Sequence, residues 1–242
     1  MSVIGLHGIP GCGKTVSATA IGLKHFKKEN RKIKQFIRYL KKEEIILNNV
    51  FSNYPILLDR RKKIYSNVIG IDDLDNRYSF PKNSIIILDE LQAFYDSYRD
   101  FKKFPSGIAT FFQFHRHFGI KDIYIISQHP RRLITYIRDV ISQYHRIKKF
   151  LKLRILGIGI VCYRRSYEFE DFTDSFTRNK DLKKLLEIKT RFYIFKLRKV
   201  FKAFNSKYLY VLNSEKPLPD LGTYNSLVLP EMVQIYLKNK LF

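Results

Sequence analysis

The sequence predicts an α/β fold in which a mainly parallel β-sheet is flanked by helices. Short apolar runs alternate with helix-compatible segments, a glycine-rich loop follows the first run, and a later run is apolar on both faces. Strands buried on both faces are typical of parallel sheets that helices cover. A C-terminal third rich in β-branched and aromatic residues predicts added β structure at the sheet edge.

The predicted elements follow one another as in successive βαβ units. Predicted strands cover residues 2–6, 50–51, 84–88 and 122–126, and predicted helices cover 16–26, 92–100, 106–118 and 131–140. Residues 142–167 and 208–212 predict the added strands, and residues 231–241 predict a short amphipathic helix. We interpret the chain as a core of residues 1–150 with a basic C-terminal extension of residues 151–242 packed on it.

The composition indicates a globular protein with an anionic partner. Of the 242 residues 45% are hydrophobic, including 20 Phe and 16 Tyr, which excludes a disordered basic tail. The net charge is +23, from 45 Lys and Arg against 22 Asp and Glu. Nucleic acid or anionic lipid would neutralise this charge, although an AT-rich genome also enriches lysine. Within one basic segment, we expect Lys148, Lys149, Lys152 and Arg154 to line a path for DNA.

Cysteine and histidine content argues against a metal cluster. Cys12 and Cys162 are too few for a disulfide framework or a four-ligand zinc site. His115 and His117 lack acid or thiol companions at metal-site spacing. The longest apolar run, residues 155–163, is shorter than the roughly 20 residues that span a bilayer. We therefore expect a cytosolic protein.

A phosphate-binding loop follows the first predicted strand. Gly8 and the triplet Gly13-Lys14-Thr15 match the pattern G-x-x-x-x-G-K-[ST]. Its glycines let backbone N–H groups approach phosphate oxygens, its lysine reaches the β- and γ-phosphates, and its hydroxyl binds Mg²⁺. The residues expected to bind ATP are Gly8, Pro10, Gly11, Cys12, Gly13, Lys14, Thr15 and Val16. The loop thus predicts a P-loop NTPase with ATP and Mg²⁺ as its ligands.

Two carboxylates after the apolar run 84–88 complete the predicted site. We expect Asp89 to act on Mg²⁺ together with Thr15, and Glu90 to orient the attacking water. Gln128, which follows the next predicted strand, is expected to place its amide near the γ-phosphate. Capping of the strand end is the alternative role for Gln128. With Lys14, these residues form the predicted catalytic set.

An arginine from a neighbouring subunit is the last predicted component of the site. Arg116 is our candidate, because a guanidinium can stabilise transition-state charge on a γ-phosphate in trans. Arg131, Arg132 and Arg138 compete for this role. The alternatives for Arg116 are contact of a basic helix face with DNA and a charge at a helix C-terminus.

Several segments together resemble the zonular occludens toxin (Zot) domain. They are the loop GIPGCGKT, residues 52–56, the strand 85–90 with Gln92 and Phe94 after it, residues 115–119 and residues 122–130. The resemblance covers about residues 1–150. It implies a motor ATPase of the FtsK/HerA type that hydrolyses ATP to drive filamentous-phage virion assembly and extrusion of single-stranded DNA.

The resemblance also implies partners and a location. These are a homo-oligomeric ring, single-stranded DNA and an assembly partner at the cytoplasmic face of the host inner membrane. Many family members continue into a transmembrane helix that is not visible in this sequence. We therefore expect either an anchor on a separate protein or a shortened member, and no toxin activity.

Other function classes remain open. A viral or cellular DNA-packaging ATPase of the same superfamily would share the loop and the carboxylates. A thymidine-kinase-like nucleoside kinase would share Asp89, Glu90 and Phe94, but the cysteine-rich zinc lasso of such kinases is missing and a nucleoside has no need of so much positive charge. A binding module with an inactive site is disfavoured, because Lys14 and Thr15 are present beside both carboxylates.

Overall fold

The computed structural model describes residues 2–40, 46–70, 74, 80–93, 106–166 and 190–204. The strands are β1 (Ser2–His7), β2 (Val50–Ser52), β3 (Leu57–Asp59), β4 (Ile64–Tyr65), β5 (Asn67–Val68), β6 (Ser84–Leu88), β7 (Ile120–Ser127), β8 (Gln143–Leu153), β9 (Ile158–Ser166) and β10 (Thr190–Lys196). The α-helices are α1 (Lys14–Leu40), α2 (Ser106–Phe114), α3 (Thr135–Val140) and α4 (Leu197–Ala203). Short 3₁₀ helices cover Leu91–Ala93 and Pro130–Arg132.

Eight of the described strands form one sheet in the order β10-β9-β8-β1-β7-β6-β2-β5. The six strands from β8 to β5 are mutually parallel, whereas β9 and β10 add an antiparallel edge. Strands β3 and β4 form a separate antiparallel pair. The predicted α/β class, with a mainly parallel sheet and added β structure after it, is confirmed.

The central strand β6 shows why the sheet is covered on both faces. All five of its residues are buried, and the four apolar side chains alternate between two cores. Ile86 and Leu88 lie in one core with residues of α2 and α3. Ile85 and Ile87 lie in the other core with residues of α1 and α4. An apolar residue at each of positions 85–88 therefore contributes to burial, as expected for a parallel strand between two helical layers.

Helix boundaries differ from the predicted ones at three places. Helix α1 continues to Leu40 because lysine and arginine are good helix formers and Phe26 and Ile33 bury its inner face. Helix α2 ends at Phe114, since a turn ending at Gly119, with φ of 82°, leads into β7. The predicted helix 131–140 is interrupted at Leu133, whose backbone is extended.

Several predictions lie outside the described residues. They are most of the helix 92–100, the strand 208–212 and the helix 231–241. The division into residues 1–150 and 151–242 also stays a prediction. Within the parts of the chain that the structure describes, no helix is long and apolar enough to cross a membrane.

The added β structure is a hairpin that projects beyond the sheet. Strand β8 pairs with β1 only as far as Arg146, which lies opposite His7, and then continues to Leu153. Strand β9 returns antiparallel along the whole projecting part. Because β1 ends at His7, the hairpin extends past the edge of the sheet at which the parallel strands end.

Candidate nucleotide site

The predicted site residues converge at the carboxyl ends of the parallel strands. Register pairs His7 of β1 with Ser127 of β7, and Leu88 of β6 with Ile125 of β7. The phosphate loop leaves β1, the two carboxylates leave β6, and Gln128 leaves β7 at this same edge. This is where open α/β sheets bind their ligands.

The phosphate loop packs so closely against β8 that two of its positions require glycine. A Cβ on Gly8 would lie 2.5 Å from the carbonyl oxygen of Ile147, and a Cβ on Gly13 would lie 3.1 Å from Cβ of Phe150. Gly13 also has a φ of 98°, in the region that favours glycine. The projecting hairpin therefore supports the phosphate loop directly.

Lys14 lies inside the loop at the start of α1. Its Nζ donates hydrogen bonds to the carbonyl oxygens of Gly8 at 2.8 Å and Ile9 at 3.0 Å, and its side chain is buried. The Ser17 hydroxyl donates to the carbonyl oxygen of Gly13 at 2.7 Å. The ammonium thus sits where loop N–H groups and the helix N-terminus would meet a phosphate.

Thr15 and Asp89 meet across the site, as the sequence predicts. The Thr15 hydroxyl donates to Oδ2 of Asp89 at 2.7 Å, although the two residues come from different elements. Asp89 is almost completely buried, and this burial raises the pKa of its carboxyl to about 6. A hydroxyl and a carboxylate are oxygen donors of the kind that Mg²⁺ prefers, so these two residues fit the ion.

Glu90 has a backbone conformation that is uncommon for a non-glycine residue. Its φ is 51°, its N–H donates to Oδ1 of Asp89 at 2.9 Å, and its Oε2 accepts a hydrogen bond from Nε2 of Gln92. Left-handed backbone at non-glycine residues clusters at functional sites. The half-buried carboxylate of Glu90 is thus fixed from both sides beside Asp89.

Asn53 is a component of the site that sequence reasoning missed. Its Nδ2 donates to the carbonyl oxygen of Asp89 at 2.8 Å, and its Oδ1 accepts from the Asp89 N–H at 2.7 Å. The neighbouring Tyr54 hydroxyl shares a hydrogen bond of 3.2 Å with Thr19 of α1. The sequence predicts no role for residues 52–56 beyond their part in the family resemblance.

Two buried histidines beneath the loop were also missed. Burial lowers the pKa of His7 and of His145 to about 3, so both are neutral near pH 7. The ring of His7 lies 5.2 Å from that of Tyr144, and Nδ1 of His145 shares a hydrogen bond of 2.7 Å with the Tyr193 hydroxyl. In the described ranges no group of three or more His, Cys, Asp and Glu could hold a metal ion.

The remaining predicted residues lie at different distances from the site. Gln128 is exposed and follows β7 at the nucleotide edge, so the structure brings it to the level of the loop. Arg116 is exposed in the turn between α2 and β7, at the opposite edge of the sheet. Arg116 therefore does not belong to the nucleotide site of its own chain, and its action in trans stays a prediction.

A family model described as Zonular occludens toxin (Zot) matches residues 2–202. The chain belongs to the Zot family. The match continues past residue 150 through the β8–β9 hairpin, β10 and nearly all of α4. Among curated proteins, no sequence is significantly similar to this chain.

Solved structures also resemble this Zot-family chain. The N-terminal domain of zonular occludens toxin from Neisseria meningitidis is 17% identical, with a TM-score of 0.47, 84% of this chain covered and 98% of the other. The genome packaging NTPase of Sulfolobus turreted icosahedral virus 2 in complex with ATP-gammaS is 14% identical, with a TM-score of 0.38 and coverages of 81% and 93%. The flagellar accessory protein FlaH from Methanocaldococcus jannaschii is 14% identical, with a TM-score of 0.36 and coverages of 67% and 77%.

All three TM-scores are below 0.5, so neither the fold assignment nor the functional assignment is based on these structures. The fold follows from the sheet order and the strand directions. Loop geometry and family membership together identify a nucleotide-binding P-loop NTPase.

Proposed function

We propose that this Zot-family protein is an ATP-hydrolysing motor that drives filamentous-phage virion assembly and extrusion of single-stranded DNA. The observation that carries the hydrolytic part is the 2.7 Å hydrogen bond between Thr15 and Asp89, which joins the phosphate loop to the carboxylate strand. Glu90 is the next residue, at the position from which a water-orienting group would act. Family membership supports the assembly role.

Each step of hydrolysis has a residue of this chain to perform it. Lys14 would exchange its two carbonyl acceptors for β- and γ-phosphate oxygens. Thr15 and Asp89 would hold Mg²⁺, which when bound neutralises charge on the phosphates. Glu90, held by Gln92, would orient the attacking water, and Gln128 would contact the γ-phosphate from the neighbouring strand.

The partners proposed for this motor are single-stranded DNA, further copies of the chain in a ring and an assembly protein at the cytoplasmic face of the host inner membrane. A net charge of +23 supports a polyanionic partner. The contact of the β8–β9 hairpin with the phosphate loop supports coupling of nucleotide state to a distant surface.

Two substitutions test the hydrolytic site. Lys14→Ala should abolish tight ATP binding, because it removes the phosphate-contacting ammonium. Glu90→Gln should bind ATP with near-normal affinity but turn over at least about 100-fold more slowly, because the water is no longer oriented. The measurements are steady-state phosphate release and titration with a fluorescent ATP analogue, both with Mg²⁺.

Asp139→Asn is the control, since it neutralises an exposed carboxylate of α3, which precedes β8 at the edge of the sheet opposite the phosphate loop. Wild-type turnover in Glu90→Gln would contradict the role of Glu90. If the protein phosphorylates thymidine and does not hydrolyse ATP when thymidine is absent, it is a nucleoside kinase and not a motor.

A further inference from the structure

A basic groove lies between α1, β10 and α4, away from the nucleotide site. Its volume is about 710 Å³. The cations that line it are Lys24, Lys27, Lys28, Arg31, Lys196 and Lys199. No acidic side chain lines this groove among the residues that the structure describes.

The cations on α1 form one continuous stripe. Lys24, Lys27, Lys28 and Arg31 are spaced i, i+3, i+4 and i+7, so they share one face of the helix. At about 1.5 Å per residue, the stripe is about 10 Å long, which suits contact with successive phosphates of an extended strand. All four side chains are exposed.

The opposite wall is β10, the edge strand of the sheet, which adds exposed apolar residues to the cations. Phe192 and Ile194 of β10 are 57% and 69% exposed, and both line the groove. An exposed aromatic ring beside a row of cations is the combination with which proteins bind single-stranded nucleic acid, since the cations contact phosphates and a base stacks on the ring.

The two walls repel each other electrostatically. Burial lowers the pKa of Lys27, and Lys199 and Lys196 on the other wall lower it further, against an opposing effect of Asp59. An anion placed between the walls would remove this repulsion. The groove therefore favours a polyanionic ligand over an apolar one.

We propose that this groove binds the backbone of single-stranded nucleic acid and stacks a base on Phe192. The inference rests on the proposed motor function. The groove is concave, which suits a strand better than a flat lipid surface. It is an alternative to the DNA path that the sequence predicts along the hairpin cations, of which Lys152 already lies over the rings of Phe150 and Phe201 at 5.4 and 5.3 Å.

Both walls of the groove are connected to the phosphate loop. Helix α1 begins at Lys14, the loop lysine itself. On the other side, Tyr193 and Phe195 of β10 pack against the cluster of Cys12, Ile147 and Val161, in which Cys12 belongs to the loop. A change of the loop on ATP binding would therefore act on both walls at once.

Two charge-matched variants test the groove. One carries Lys24→Gln, Lys27→Gln, Lys28→Gln and Arg31→Gln, and the other carries Lys148→Gln, Lys149→Gln, Lys152→Gln and Arg154→Gln. Binding of a fluorescent 20-nucleotide oligo(dT) is measured by anisotropy against salt concentration without nucleotide. The groove variant should bind roughly 100-fold more weakly at low salt, with a log–log salt slope reduced by about 3, whereas the hairpin variant should bind like wild type.

Phe192→Ala tests the stacking contact, with Phe192→Leu as its control for apolar bulk. Both should weaken oligo(dT) binding roughly 5- to 100-fold without changing the salt slope, because the ring is lost in each. Loss in the alanine variant alone would show that bulk rather than stacking matters and would overturn that part of the inference.

The outcomes separate the inference from the proposed function. A groove variant that binds oligo(dT) like wild type, or a hairpin variant that loses the binding instead, overturns the groove. If the groove variant loses only its binding to phosphatidylglycerol vesicles, the groove is a lipid site and the inference also fails. If the protein does not hydrolyse ATP but binds oligo(dT) through the groove, the proposed motor function is contradicted and the inference about the groove stands. Thermal melting of each variant verifies folding.

Discussion

At the residue scale, burial of the Asp89 carboxyl lowers the stability of the folded protein, and the same carboxyl is the proposed ligand of Mg²⁺. Burial raises its pKa from 3.8 to about 6, while the Thr15 hydroxyl opposes that rise. The ionised form is the one that would bind Mg²⁺. Near neutral pH the site thus holds an ionised carboxylate whose burial lowers the stability of the folded protein.

This cost predicts a pH dependence of stability. Because the folded-state pKa is raised, the folded protein holds the Asp89 proton more tightly, and stability falls as the pH rises from about 4 to about 6. Asp89→Asn removes this titration. Without Mg²⁺, the free energy of unfolding of Asp89→Asn relative to wild type should therefore increase by roughly 3 kcal/mol across that interval.

Urea denaturation at several pH values measures the difference. His7 and His145 have lowered pKa values, so they make both proteins more stable as the pH rises through about 3 to 6.5. Their contribution cancels in the comparison. A difference between the two proteins that stays constant from pH 4 to pH 7 would contradict the buried, elevated titration of Asp89.

At the element scale, the β8–β9 hairpin supports the loop through Phe150. Phe150→Ala would leave space beside Gly13, where a Cβ on the glycine would lie 3.2 Å from Cγ of Phe150. We expect ATP affinity to fall roughly 3- to 10-fold, about 1 kcal/mol, because the loop must be ordered at the moment of binding. Titration with a fluorescent ATP analogue measures this effect.

Phe201→Ala is the matched control for Phe150→Ala. Its ring lies 6.2 Å from that of Phe150, on α4, and it is 44% exposed. It should leave ATP affinity unchanged. Equal affinities in wild type and Phe150→Ala, with lower stability in the latter, would mean that the hairpin stabilises the fold but does not order the loop.

The elements that periodicity alone determines could be predicted from the sequence. The run 85–88 is apolar at every position because both sheet faces are covered, and the loop motif fixes a strand before it and a helix after it. The helix interruption at Leu133 could not be predicted, since residues 131–140 have no proline or glycine to mark it.

Contacts that depend on strand register also could not be predicted. Asn53 contacts Asp89 only because β2 lies beside β6 with Ser52 opposite Ile87. The positive φ of Glu90 likewise has no sequence signal, because glutamate rarely adopts it. Residue types at the site were therefore predictable, whereas the residues that hold them in place were not.

At the scale of the whole molecule, the position of Arg116 constrains assembly. The phosphate loop lies at the carboxyl-end edge of the sheet and Arg116 at the opposite edge. An arginine that acts in trans would then require the two different edges of adjacent subunits to face each other. Repeated head-to-tail interfaces of this kind form a ring when the rotation from one subunit to the next brings the last subunit back to the first.

Arg131 and Arg132 are the alternatives to Arg116. Their position would allow them to act on the nucleotide of their own chain. Both are exposed in the 3₁₀ helix after β7, at the nucleotide edge. An arginine of the same chain would stabilise the transition state without any neighbour. The two possibilities therefore differ in whether activity requires assembly.

Subunit mixing distinguishes these possibilities. If Arg116 acts in trans, specific ATPase activity should rise with protein concentration, and Arg116→Ala should lower turnover while ATP affinity stays near normal. Mixing Arg116→Ala with Lys14→Ala should restore part of the activity, because one interface in the mixed ring pairs an intact loop with an intact arginine. The control is a mixture of Arg132→Ala with Lys14→Ala, which should show no rescue if Arg132 acts on its own chain's nucleotide, since each subunit then lacks one essential group. Absence of rescue in the Arg116 mixture, with activity independent of concentration, would contradict the head-to-tail ring and assign the catalytic arginine to the nucleotide edge of a single subunit.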